Sequence, residues 1–192
     1  MKKICFATNN PNKLKEIKEL LGNQFEIVSL KDIGCEEELP ETQDTMEGNS
    51  LQKARYVFDH YNIDCFADDS GLEVEALNGA PGVYSARYAG LQRNNEDNMA
   101  LLLQNLQHET NRSAQFRTVV TLTENGKPVQ FEGIIKGLIL REKKGNKGFG
   151  YDPLFVPEGH KRSFAEMSAE EKNKCSHRAR AIEKLTKYLL KN

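Results

Sequence analysis

The first 22 residues hold the pattern that most constrains the fold, a short apolar run followed by a helical period. The run covers residues 3–8, and a helix face up to Gly22 is then marked by Leu14, Ile17, Leu20 and Leu21. Asn10 before Pro11 is typical of a helix N-cap followed by proline at the first helical position, where the missing N–H costs nothing. The sequence therefore predicts a strand, a tight turn and a helix.

A second helix is predicted after an acidic segment. Glu36–Glu41 indicates a loop or a short edge strand, and Asp44 with Glu47 has the spacing of a capping box. Asn49 and Lys53 lie four residues apart on a face that differs from the apolar face of this helix. We therefore expect these two side chains to point together at something other than the core.

The remaining patterns complete an α/β fold. Cys65–Ala67 is strand-like and leads into Asp68-Asp69-Ser70-Gly71, which places polar residues at the carboxyl end of a strand. Asn125-Gly126 is a strong hairpin signal. The other signals are strands at Glu26–Leu30, Ala114–Thr123 and Val129–Leu140, helices at Glu96–Leu106 and from near Ser176, and capping boxes at Ser163 with Glu166 and Ser168 with Glu171. Strands alternating with helices, plus one hairpin, predict a mixed sheet.

Composition excludes several classes of protein. The chain of 192 residues is expected to form one domain over residues 1–192. A formal net charge of -1 argues against binding to a nucleic-acid polymer. No stretch has the roughly 20 apolar residues of a membrane span, and the N-terminal apolar run is too short for a signal peptide, so we expect no membrane association and a cytoplasmic location. The four scattered cysteines indicate neither a zinc site nor a disulfide framework.

The turn before the first helix is a candidate phosphate-binding site. Thr8-Asn9-Asn10-Pro11-Asn12-Lys13 follows a strand and opens a helix, which is where ligands bind in open α/β sheets. A helix N-terminus offers unpaired N–H donors to a phosphate, and Lys13 adds a full positive charge. The turn lacks the glycines of the common nucleotide-binding loops, so an asparagine-rich cap with a solvated lysine is the alternative.

Acidic residues from two segments are candidate magnesium ligands. Mg²⁺ is commonly held by one or two carboxylates together with water and substrate phosphate oxygens, and Glu41 and the Asp68-Asp69 pair meet that requirement. Because successive side chains of a strand face opposite ways, only one of the two aspartates should reach a given site. Alternatively, Asp69-Ser70-Gly71 is simply a turn.

Two further motifs suit the base of a nucleotide. In Phe149-Gly150-Tyr151-Asp152 an aromatic ring that can stack on a base precedes a carboxylate that can accept hydrogen bonds. Lys172 and the segment Ser176-His177-Arg178 place cations at a helix start. The alternatives are Phe149 in the core with a turn at Asp152, and a solvated His177 and Arg178.

Taken together, these motifs resemble the inosine triphosphate pyrophosphatase family in the same order over essentially the whole chain. The matching motifs are Thr8-x-Asn10-x-x-Lys13, Leu39-Pro40-Glu41, Ser50-Leu51-Gln52-Lys53-Ala54, Ala67-Asp68-Asp69-Ser70-Gly71-Leu72, the segment from Gly79 to Tyr88, Phe149-Gly150-Tyr151-Asp152-Pro153 and Glu171-Lys172-x-x-x-Ser176-His177-Arg178. Ser85-Ala86-Arg87-Tyr88 is similar to the form in the bacterial branch. The combination is specific, although each motif alone is not.

The resemblance implies an Mg²⁺-dependent hydrolase that converts non-standard purine nucleoside triphosphates (ITP, dITP and XTP) to the monophosphate and pyrophosphate. It implies a phosphate-binding turn at Thr8–Lys13, metal ligands at Glu41 and Asp69, and Asp69 as the base. Other substrate contacts would come from Lys53, Ser70, Phe149, Gly150, Tyr151, Asp152, Lys172, His177 and Arg178. It also implies a long mixed sheet flanked by helices, two lobes with a central active-site cleft, and a homodimer.

Two other functions are compatible with the sequence. One is a pyrophosphatase for modified pyrimidine nucleotides, and the other is a nucleotide-binding module without turnover, against which Glu41 and Asp69 argue. Ala86 departs from the eukaryotic branch, where a substrate-contacting lysine is expected, and the sequence leaves open whether Arg87 replaces it.

Overall fold

The computed structural model describes residues 3–191, in which strands alternate with helices. Within that range the strands are β1 (Lys3–Phe6), β2 (Glu26–Val28), β3 (Cys65–Val74), β4 (Ser113–Glu124), β5 (Lys127–Ile139) and β6 (Phe155–Pro157). The α-helices are α1 (Pro11–Leu21), α2 (Met46–Tyr61), α3 (Asn95–Asn105), α4 (Ala169–Cys175) and α5 (His177–Leu189). Short 3-10 helices lie at Lys31–Ile33, Glu75–Leu77, Gly82–Arg87, Asp152–Leu154 and Phe164–Glu166.

The strands form a mixed sheet in the order β2-β1-β3-β4-β5-β6. β1 pairs in parallel with β2 and β3, whereas β5 pairs antiparallel with β6. The predicted α/β fold with a mixed sheet flanked by helices is confirmed.

The predicted strand, turn and helix at the N-terminus are confirmed. The Asn10 side chain accepts hydrogen bonds from the backbone N–H groups of Asn12 and Lys13, and Pro11 is the first residue of α1. The helix ends at Gly22, whose φ of 53° lies in the left-handed region that glycine tolerates. β1 ends at Phe6 rather than at the predicted Thr8.

β3 is longer than predicted, and two expectations about it are wrong. The strand continues through Asp68-Asp69-Ser70-Gly71 to Val74, so the aspartates are not at its carboxyl end and the turn reading of Asp69-Ser70-Gly71 does not hold. They follow the point where the parallel neighbour β1 ends, since the last β1 pair is Phe6 with Phe66. Sheet pairing with β4 and burial of Leu72 and Val74 outweigh the local preference of Asp and Gly for a turn.

The predicted N-cap of α2 is wrong by one residue. Thr45, not Asp44, has the extended backbone, and its hydroxyl accepts the N–H of Gly48 at 3.0 Å. The capping box expected between Asp44 and Glu47 is therefore replaced by a simple threonine cap.

The hairpin and both later capping boxes are confirmed. Asn125 and Gly126 have φ values of 49° and 75°, the left-handed conformation of a two-residue hairpin turn, between β4 and β5. Ser163 pairs with Glu166, and Ser168 pairs with Glu171, in reciprocal side-chain to backbone hydrogen bonds.

The chain divides into two compact units. The first comprises Met1–Asp69, Thr118–Gly133 and Ala179–Asn192, and the second comprises Ser70–Arg117 and Ile134–Arg178. That residues 1–192 act as one folding domain stays a prediction.

In the first unit, β1 is buried on both faces. Ile4 and Phe6 belong to one apolar cluster and Cys5 to another, as the alternation of side chains along a strand requires. The first cluster includes Ile17, Leu21, Ile182 and Leu185 from α1 and α5, and the second includes Ala54 and Val57 from α2. Layers of helix thus cover both sides of these strands.

The second unit has one apolar cluster, which is rich in aromatic rings. Phe116 lies edge-on to Phe155 at a centroid distance of 4.7 Å, and Phe155 contacts Phe164 at 5.3 Å. Leu102 and Leu106, from α3 and the residue that follows it, close the cluster. Polar residues of the second unit pack against this cluster, as His177 does against Phe116.

Neither disulfide bonds nor membrane-spanning helices are found within residues 3–191. The four cysteines, all of which lie within residues 3–191, form no disulfide, and Cys5, Cys35 and Cys65 are buried. None of the helices within residues 3–191 combines the length and the apolar composition that crossing a membrane requires.

Glu171→Gln should lower stability at neutral pH and have less effect in acid. The backbone N–H of Ser168 and then the guanidinium of Arg162 hold the pKa of Glu171 at about 2, below its ordinary value of 4.5. A depressed carboxyl pKa stabilises the fold above the ordinary pKa, and this contribution is lost as the pH falls toward 2. The melting temperatures of wild type and variant are measured from pH 7 to pH 3. The difference between them should become smaller as the pH falls. Glu109→Gln, at an exposed position, is the control. A Glu171→Gln difference that stays constant over this pH range would contradict the assignment.

Candidate active site

Charged side chains of α1, α2, β3 and the loop before α2 meet in the first unit, where each is buried or partly buried. The ammonium of Lys13 lies 3.0 Å from Asp68 Oδ1, and Asp68 is fully buried. The ammonium of Lys53, a residue that is 5% exposed, lies 2.5 Å from Glu41 Oε1 and 2.7 Å from the backbone oxygen of Asp68. The expectation of a solvated lysine after the asparagine-rich cap does not hold, because Lys13 is tied to a buried carboxylate.

Asp69 is the most informative residue of this cluster. It is 7% exposed, and its Oδ2 accepts a hydrogen bond from Asn49 Nδ2 at 3.1 Å. Burial raises the pKa of the Asp69 carboxyl above its ordinary value, although the charges of Lys53 and Lys13 oppose the rise. A carboxylate with a raised pKa is better suited to take a proton from water than an exposed aspartate.

Asn49 and Lys53 point at the same cluster, as their spacing on α2 predicted. The Lys13 ammonium of α1 contacts the Asp68 carboxylate, and Asn49 of α2 donates to the Asp69 carboxylate. That only one of the two aspartates reaches a given site stays a prediction. Burial lowers the pKa of Lys53, but the charges of Glu41, Asp69 and Asp68 outweigh it and the pKa is raised. Lys53 is therefore a permanent cation in this position.

The cluster has the composition of a hard-cation site. Glu41, Asp68 and Asp69 provide three carboxylates against the ammonium groups of Lys13 and Lys53, which leaves an excess of negative charge when all are ionised. Oxygen donors of this kind suit Mg²⁺. Within residues 3–191 no three His, Cys, Asp or Glu side chains are grouped to hold a metal alone, whereas Mg²⁺ that shares its ligands with phosphates needs only one or two carboxylates.

Side chains of the predicted phosphate-binding turn make hydrogen bonds to the backbone of the turn itself. Thr8 Oγ1 accepts the N–H of Asn10 at 3.1 Å, and Asn10 caps α1 through the N–H groups of Asn12 and Lys13. Asn9 contacts the backbone of Glu37 and Leu39, and Asn12 is exposed. The role of the turn in binding phosphate stays a prediction.

In the second unit, Asp152 organises the aromatic motif. Its Oδ2 accepts the backbone N–H of Phe149 at 2.9 Å and the ammonium of Lys172 at 2.7 Å. The same ammonium lies 4.8 Å from the centre of the Phe149 ring. Asp152 begins a short helix rather than a simple turn, and Phe149 is only partly buried, so the reading of Phe149 as core does not hold.

His177 and Arg178 are buried rather than solvated. Arg178 is 2% exposed, donates to Ser70 Oγ at 3.2 Å and lies 5.7 Å from the Phe149 ring centre. The ring of His177 stacks on Phe116 at 4.7 Å and 13°. Nothing in the sequence marks Phe116, an ordinary apolar strand residue, as the support of this imidazole.

Two members of the predicted base pocket have other roles. The Tyr151 side chain is buried in the apolar cluster, and its hydroxyl donates to the backbone oxygen of Ser85 at 2.8 Å. Gly150 adopts a φ of 62°, which suits glycine. Their segment shapes the motif, and direct substrate contacts from them stay a prediction.

Arg87 is placed beside an exposed aromatic ring. Its guanidinium lies 5.2 Å from the ring centre of Tyr84, which is 50% exposed. The buried Asn98 holds this segment by donating to the backbone oxygens of Ser85 and Ala86 and by accepting the N–H of Ala89. Asn98 lies outside the recognised motifs, so the sequence offered no signal for it.

Comparisons with known proteins show the family of this chain. Residues 4–188 match the model of the Ham1 family. The chain is 56% identical to a "dITP/XTP pyrophosphatase" of Flavobacterium psychrophilum, over 95% of this chain and 96% of that one. It is 53% identical to a protein of the same name from Porphyromonas gingivalis, over 99% and 98% of the two chains.

Solved structures are similar over the same length. A HAM1 protein from Coxiella burnetii is similar with a TM-score of 0.92 and 37% identity over all of both chains. The Ham1 protein of Staphylococcus aureus has a TM-score of 0.89 and 37% identity, with 98% of each chain covered. The resemblance that the motifs indicated is confirmed, and the chain belongs to the Ham1 family.

Proposed function

We propose that this protein hydrolyses non-standard purine nucleoside triphosphates, such as ITP, dITP and XTP, to the monophosphate and pyrophosphate and so removes them from the nucleotide pool. The names of its relatives, dITP/XTP pyrophosphatases, support this substrate class. The observation that carries the proposal is the buried cluster of Glu41, Asp68 and Asp69 with two lysines, because it combines a candidate base with cations for a polyphosphate.

Mg²⁺ is the proposed cofactor, held by Glu41 and Asp69. Bound there, it would neutralise triphosphate charge and polarise the phosphoryl oxygens. The oxygen-only donor set and the excess of carboxylates support this choice over a metal that prefers nitrogen or sulfur.

The proposed reaction is a direct displacement by water. Asp69 accepts a proton from the water as its oxygen bonds to the α-phosphorus, and the bond from that phosphorus to the α–β bridging oxygen breaks. Lys13 and Lys53 offset the charge that develops on the departing pyrophosphate, while the N-terminus of α1 offers backbone N–H groups. No covalent enzyme intermediate is needed, since phosphoryl transfer rests mainly on positioning and charge stabilisation.

The second unit supplies the proposed groups for the base and sugar. The ring of Phe149 offers a stacking surface, and Lys172, held by Asp152, lies above it. His177 and Arg178 are buried donors suited to the 6-oxo group of inosine and xanthosine. Ser70, whose hydroxyl accepts a hydrogen bond from Arg178, is a further proposed substrate contact.

We further propose a homodimer and a cytoplasmic location. Nucleotide pools that supply polymerases are intracellular, and the family resemblance implies the dimer. Light scattering or sedimentation of the purified chain tests the assembly.

Asp69→Asn should nearly abolish turnover while the protein stays folded. The substitution is close to isosteric and keeps an oxygen for Asn49, but it removes the base and a proposed metal ligand; loss of a general base alone costs roughly 10²–10⁴ in rate. Steady-state rates with dITP and a melting curve measure the two effects. Asp59→Asn, at an exposed position on the same unit, is the matched control. A near-normal rate for Asp69→Asn would refute the role of Asp69.

The first products should be the monophosphate and pyrophosphate, with oxygen from water in the monophosphate. Attack at the α-phosphorus places the new oxygen there, whereas attack at the β-phosphorus places it in pyrophosphate. Hydrolysis in ¹⁸O-labelled water, followed by mass spectrometry of both products, distinguishes attack at the α-phosphorus from attack at the β-phosphorus. A nucleoside diphosphate as first product would overturn the proposed reaction.

Inosine and xanthosine triphosphates should be preferred over adenosine and guanosine triphosphates by a large factor. Adenine presents a 6-amino donor to buried donors, and each unpaired buried group costs about 1–3 kcal/mol. Guanine keeps the 6-oxo group, so the expected preference over guanosine triphosphate rests on the family resemblance alone. Sites built on buried hydrogen bonds discriminate by up to roughly 10⁴–10⁵. The kcat/KM values for the four nucleotides, with modified pyrimidine triphosphates included, test this at one magnesium concentration. Equal values for inosine and adenosine would sink the proposal.

A further inference from the structure

The segment that carries Glu41 has no regular secondary structure. Residues 34–45, all of which the structure describes, form neither helix nor strand between the 3-10 helix Lys31–Ile33 and α2. Such a segment depends on side chains to bind its backbone N–H and C=O groups. The position of the Glu41 carboxylate is therefore set by the groups that bind the residues on either side of it.

Asn9 binds this segment on the N-terminal side of Glu41. Its Nδ2 donates to the backbone oxygen of Glu37 at 3.2 Å, and the N–H of Leu39 donates to its Oδ1 at 3.2 Å. One side-chain amide thus bonds alternate residues of the segment, as the backbone of a neighbouring strand would. Leu39 is buried in an apolar cluster, so the amide orients a residue that packing already anchors.

Amides of α2 bind the segment on the C-terminal side of Glu41. Gln52 Oε1 accepts the N–H of Thr42 at 3.0 Å, and Gln52 Nε2 donates to Thr42 Oγ1 at 2.8 Å. Asn49 Oδ1 accepts the N–H of Gln43 at 2.9 Å. Glu41 consequently lies between two points of attachment, one at the start of α1 and one on α2.

We propose that Asn9 is a positioning residue that holds Glu41 against Lys53 and thereby sets the affinity of the enzyme for Mg²⁺. This rests on the proposed function in one respect, the role of Glu41 as a magnesium ligand. Asn9 occupies an unspecified position of Thr8-x-Asn10-x-x-Lys13, so the motif gives it no role beyond the turn. Asparagine suits the task because its short amide carries both a donor and an acceptor, which neither aspartate nor alanine provides.

The test compares Asn9→Ala with wild type in two measurements. Hydrogen exchange of the Leu39 amide, followed without nucleotide, should accelerate by roughly tenfold, the effect of losing about one neutral hydrogen bond. The Mg²⁺ concentration for half-maximal hydrolysis, measured with dITP saturating, should rise by a similar factor. A general loss of stability would lower kcat instead of shifting the metal dependence alone.

Matched variants separate positioning from a nonspecific effect. Gln52→Ala, at the other point of attachment, should shift the Mg²⁺ dependence in the same direction. Asn23→Ala, an exposed asparagine just beyond α1, should change neither measurement. In a Glu41→Gln background, Asn9→Ala should produce no additional shift, because the group that it positions is already altered.

Two results would overturn the proposal: unchanged exchange at Leu39, or faster exchange with an unchanged Mg²⁺ dependence. A preference for a different nucleotide would refute the proposed substrate but leave this inference standing. In that case the same titration is run with the preferred nucleotide, and the exchange measurement needs none.

Discussion

The ammonium of Lys53 is the group on which the charged cluster of the first unit depends. It is buried and contacts both the Glu41 carboxylate and the backbone oxygen of Asp68. Loss of the carboxylates around it would leave this buried positive charge uncompensated, which is destabilising. The segment 34–45, the register of α2 and the extended path of β3 must therefore all be correct together. The same arrangement surrounds Asp69 with low-dielectric protein and raises its pKa, which is the property that a proton acceptor needs.

Neutral amides, rather than additional charges, fix the geometry of this cluster. Asn49 bonds Asp69 and the backbone of Gln43 with the two ends of one side chain, and Asn9 does the same for Glu37 and Leu39. An amide supplies a donor and an acceptor without changing the net charge. The carboxylates thus stay in excess, as the proposed binding of Mg²⁺ requires.

In the second unit, the polar side chains are held in place by packing against an aromatic core. Phe116 packs against Phe155 and supports the ring of His177, while Asp152 restrains both Phe149 and Lys172. Donors held in place before a ligand arrives lose little entropy on binding. Such preorganised donors suit the proposed discrimination between bases that differ by one polar group.

The sequence alone predicted most of the features that depend on contacts within three or four residues: the Asn10 cap of α1, the Asn125-Gly126 hairpin and both serine capping boxes. The cap of α2 is the exception, because Thr45 and not Asp44 takes that position. It also identified the candidate acids, lysines and aromatic motif, through motif order and family resemblance. Tertiary structure decided what distant contacts control. Pairing with β4 extends β3 through residues that locally favour a turn, packing buries His177 and Arg178, and Asn9 bonds Leu39 across a separation of 30 residues. Local sequence patterns reflect the conformational preferences of the backbone over a few residues. Burial and long-range hydrogen bonds arise only when separate elements pack together and exclude water.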